Sequence, residues 1–156
     1  MGELMFYLGL AVAKQGAEQR RVGGEGPGNA RMKQALRWLD EAEQDQMENA
    51  WLHYSYATVL SLVRVEDREN DQSQRYSERL RSQIESARKH VKPTDPKYVE
   101  IMLLHYQQLV AQAKRPEAQA VLDEACKAKP QDQHLALAKA KFLRLDPAMR
   151  PRRLRC

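Results

Sequence analysis

The residues best suited to covalent or metal chemistry in this 156-residue chain are four histidines and two cysteines: His53, His90, His105, His134, Cys126 and Cys156. A zinc site needs paired ligands a few residues apart, and no two of these six have that spacing. Two cysteines with the second at the chain end do not build a disulfide framework, so a reducing compartment is expected. Nothing assembles a nucleophile, a base and oxyanion donors. The glycine-rich run Gly23-Gly24-Glu25-Gly26-Pro27-Gly28, with Arg20 and Arg21 beside it, has the composition of a phosphate cradle. It lacks the Gly-Lys-Ser/Thr ending and follows a helical pattern rather than a strand, so it reads as a flexible loop. The sequence therefore predicts no enzyme, no cofactor and no metal.

The elements that would position any other function are helical. Only two Phe and two Trp accompany much Ala, Leu, Gln, Glu, Lys and Arg, and no glycine follows Gly28. Residues 115–130 set the pattern: Ala118, Leu122 and Ala125 at i, i+4 and i+7 make one face of small and medium apolar side chains, closed by Pro130. Ala35, Leu39 and Ala42 repeat those offsets in a helix expected from Asn29 or Arg31 to Asp45. The intervening residues expected as helices are 3–16, 50–65, 75–91, about 96–112 and 133–145. The stretch 66–74 is polar enough for a surface loop or a frayed helix end. The Pro93 and Pro96 turn and the Asp146-Pro147 pair supply stops.

Leu8, Gly9, Ala11, Lys14, Gln15 and Gly16, together with the face at 115–130, resemble the tetratricopeptide repeat family. In that family a Leu-Gly pair admits close approach of the second helix of a repeat. Here the second helix would be delayed by an insertion, residues 17–32, containing four of the seven glycines. The resemblance implies an all-α fold: a right-handed superhelix of antiparallel helix pairs, about three repeats and a C-terminal helix, over residues 3–147. Residues 148–156 are expected as a basic, disordered tail. No stretch reaches the roughly 20 apolar residues that span a bilayer, and residues 4–13 lack a basic leader before them, so a soluble intracellular protein is expected.

The resemblance also implies a concave groove lined by the first helix of each pair, where a peptide or helix of another protein, including an acidic one, would bind. By family register the groove positions are Phe6, Leu10 and Lys14, then Trp51, Tyr54 and Thr58, then Gln107, and Lys141 on the last helix. Trp51 and Tyr54 stand out because aromatic side chains are enriched at binding hot spots. Charge supplies the competing expectation. Residues 1–96 hold 14 Lys and Arg against 15 Asp and Glu, whereas 97–156 hold 12 against 6. Nucleic acid could then be bound through a basic patch that includes Arg150, Arg152, Arg153 and Arg155. A third expectation is self-association, or continuation into a longer solenoid, through the apolar face of the last helix at Leu135 to Leu143.

Overall fold

The computed structural model describes residues 1–23, 25–45, 48–63 and 71–145. Among them the chain is all-helical, with seven helices: α1 (Gly2–Gly23), α2 (Glu25–Asp45), α3 (Ala50–Leu62), α4 (Asp71–His90), α5 (Tyr98–Ala111), α6 (Arg115–Ala128) and α7 (Gln133–Leu145). The chain divides into two compact units, Met1–Val91 and Lys92–Cys156. Consecutive helices pair as α1 with α2, α3 with α4, and α5 with α6, and α7 packs on α5 and α6.

The first pair corrects the sequence reading. Residues 17–23 and 25–28, expected in an inserted loop, extend α1 by about two turns and α2 by about one. The cause is a seam of missing side chains. Gly2, Gly9, Gly16 and Gly23 recur every seven residues on α1, and Gly28, Ala35 and Ala42 do so on α2. A seven-residue step nearly repeats the helical period, so each set lines one face. A Cβ at Gly9 would stand 3.0 Å from the Leu39 side chain, and one at Gly16 would stand 3.0 Å from the Gly28 carbonyl oxygen. The backbones thus approach where the sequence is emptiest. Pro27 falls within the first turn of α2, where its missing N–H breaks no helical bond.

The core of this unit fills around that seam with Phe6, Met32, Leu39, Leu52, Tyr56 and Leu60. Truncating a fully buried leucine such as Leu39 costs about 2–5 kcal/mol. Asn49 starts α3 by accepting the Leu52 N–H at 3.1 Å. Phe6 meets Trp51 near the N-terminal ends of α1 and α3, and the Arg20 guanidinium donates to the Leu62 carbonyl at their C-terminal ends. The two helices therefore run side by side in the same direction. A cation on the last carbonyl of α3 also suits the helix dipole.

A polar network lies between α2, α3 and α4. His53, 2 % exposed, has Nδ1 at 2.7 Å from Gln83 Oε1, and Gln83 Nε2 donates to Glu43 at 2.8 Å. Tyr56 donates to Asp40, which also receives Arg79, whose guanidinium lies 5.2 Å from the Tyr56 ring centroid. His53 is thus part of this interior, with Gln83 satisfying its Nδ1.

In the second unit, the Schellman turn after α5 joins it to α6: the Lys114 N–H bonds to the Leu109 carbonyl at 2.9 Å and the Ala113 N–H to Val110 at 3.0 Å. Ala113 takes the left-handed position, φ 58°, that glycine usually fills. Asp132 caps α7 by accepting the Leu135 N–H at 3.0 Å. The face expected to need a neighbour is largely covered: Leu135 and Phe142 are buried, and Phe142 meets Tyr106 edge on at 6.0 Å. Leu137 is left outside, 56 % exposed.

Candidate interaction site

In the first unit Leu4, Tyr7, Leu8 and Trp51 are exposed near the starts of α1 and α3, and Val22 and Leu62 near their ends. Leu4, Tyr7 and Leu8 stand at i, i+3 and i+4 on α1, away from the glycine seam, and all three are exposed. Trp51 packs across Phe6 with centroids 5.0 Å apart and planes at 88°, and across Tyr7 at 6.2 Å and 75°. Phe6 and Tyr7 are themselves 5.6 Å apart. Three rings thus form a ledge whose inner member is core and whose outer two face solvent, Tyr7 at 49 % and Trp51 at 40 % exposure. Rings held this way present large area with little side-chain entropy left to lose.

Beyond the ledge, helical spacing continues the same side of α1 through Tyr7, Leu10 and Lys14, at i, i+3 and i+7, and that of α3 through Trp51, Tyr54, Thr58 and Ser61. Lys14 also lines a concavity with Ala11, Gln15, Glu18, Gln19 and Arg31. Leu10 and Tyr54 are half-buried, and Lys14, Thr58 and Ser61 are exposed. Thr58 Oγ1 donates to the Tyr54 carbonyl at 2.9 Å and Ser61 Oγ to the Thr58 carbonyl at 2.7 Å. Their hydroxyl protons are therefore committed, and only their oxygens remain to accept a bond. Between Ala50 and Leu62, α3 carries no Lys, Arg, Asp or Glu.

Of the eight groove positions expected from the sequence, Leu10, Lys14, Trp51, Tyr54 and Thr58 are exposed or half-buried on α1 and α3. Phe6 is not: it is 2 % exposed and belongs to the core, because Trp51 closes over it. Its neighbour Tyr7 takes the exposed place, and sequence register alone passed it over. The signal available was the run Leu4, Tyr7, Leu8, apolar on the side of α1 opposite the glycines. Gln107 and Lys141 lie exposed on α5 and α7 of the second unit. Arg150, Arg152, Arg153 and Arg155 lie outside the described residues.

Chemistry elsewhere is sparse. Among the described residues no group of three His, Cys, Asp or Glu side chains could hold a metal ion, and no helix is long and apolar enough to cross a membrane. Cys126 is half-buried on α6, in a concavity shared with Asp123, Glu124, Lys127 and Lys139, where Lys139 is paired to Asp123 at 3.2 Å. Burial and the nearby Glu43 and Tyr76 charges push the Tyr56 phenol well above its ordinary value, which keeps it a hydrogen-bond donor to Asp40. Burial likewise pulls Arg79 down. Compared with known proteins, the chain matches no family model, no curated protein sequence and no solved structure.

Proposed function

We propose that the protein is a non-catalytic interaction scaffold that receives a segment of another protein along the adjoining sides of α1 and α3. The observation that carries this reading is the ring ledge: a tryptophan 40 % exposed, held edge to face on a buried phenylalanine and beside an exposed tyrosine. A surface with Leu4, Tyr7, Leu8 and Trp51 together is a costly arrangement for a chain with nothing to cover it, and contiguous exposed apolar patches mark interaction sites. The helix pairing and the parallel course of α1 and α3 support a tetratricopeptide-like stacking of pairs, in which first helices line the binding face.

Nucleic-acid binding through the basic second unit is the weaker reading. Its described cations are partly spent on carboxylates, with Lys139 on Asp123 at 3.2 Å, Lys97 on Glu100 at 3.5 Å and Lys114 on Glu117 at 3.8 Å. Selection of a displayed peptide library against the full chain separates the two. Peptides enriched by the wild type and weakened at least about tenfold by the Trp51→Ala, Tyr54→Ala double variant, with helicity preserved, support the first reading. Loss of all such peptides, with RNA binding that falls steeply with salt, would replace it by the second reading.

A further inference from the structure

We draw no further inference here: the strongest candidate, the concavity between α1 and α2 that Lys14 and Arg31 line together with Gln15, Glu18 and Gln19, holds a carboxylate beside its two cations, and nothing in the structure shows what fills it.

Discussion

Phe6 and Trp51 meet edge to face, with ring centroids 5.0 Å apart and planes at 88°. One ring is interior and the other is at the surface, so the pair joins the packing of the first unit to its exposed ledge. Such pairs contribute about 0.5–1.5 kcal/mol beyond the area they bury. A double-mutant cycle with Phe6→Leu and Trp51→Leu, read by urea unfolding, is expected to return a coupling of that size. A coupling near zero would mean that the two side chains stabilise the unit independently.

The glycine seam makes a prediction opposite to helix propensity. Replacing a helical glycine by alanine ordinarily gains up to about 1 kcal/mol. At Gly28 the new Cβ would stand 2.3 Å from the Arg20 Cγ and 2.8 Å from the Gly16 carbonyl oxygen, closer than atoms can pack. Gly28→Ala should therefore destabilise the protein by about 1–3 kcal/mol, the usual range for overpacking. Thermal unfolding followed by circular dichroism decides the sign. A raised melting temperature would contradict the close approach of α1 and α2.

Helix content was legible because the helix formers and stops in the sequence are strong. Expected and observed bounds coincide for Gln133–Leu145, where Asp132 caps and Asp146-Pro147 follows. The full length of α1 and α2 was not legible, since residues 17–32 combine glycines that flexible linkers and tight helix seams share. Only the seven-residue step from Gly2 to Gly23 separates the two, and it becomes decisive when Gly28, Ala35 and Ala42 are set opposite. In the site, Trp51 and Tyr54 were readable from residue type, while Phe6 and Tyr7 exchanged places: neighbours on a helix differ by about 100° in direction, so a slight rotation of α1 decides which ring is core. The Asp40, Tyr56 and Arg79 contacts join residues up to 39 positions apart and leave no local pattern.

Ala113 offers a stabilising change. It holds φ 58° at the Schellman turn between α5 and α6, a conformation that costs a residue with a Cβ roughly 1 kcal/mol relative to glycine. The Lys114 to Leu109 and Ala113 to Val110 bonds are both main-chain bonds, so glycine keeps them. Ala113→Gly should raise the stability of the second unit by about 0.5–1 kcal/mol, despite the added freedom of the unfolded chain. Hydrogen exchange of α5 and α6 amides checks it, and faster exchange in the variant would refute it.

Tyr56 sets an alkaline limit on the first unit. Its phenol is raised above the ordinary 10.0 by burial first, then by Glu43 and Tyr76, and it donates its proton to Asp40. In the unfolded chain the group ionises near pH 10, whereas in the fold it stays protonated. The unfolded state therefore holds fewer protons above that pH, and stability falls as pH rises. The contribution is complete below about pH 10 and is lost above it, at up to about 1.4 kcal/mol per pH unit. Tyr56→Phe lowers stability at neutral pH by leaving Asp40 with Arg79 alone, and it flattens the alkaline slope. Urea midpoints for wild type and Tyr56→Phe between pH 8 and pH 11 test the claim. Parallel curves would show that another group governs the alkaline loss.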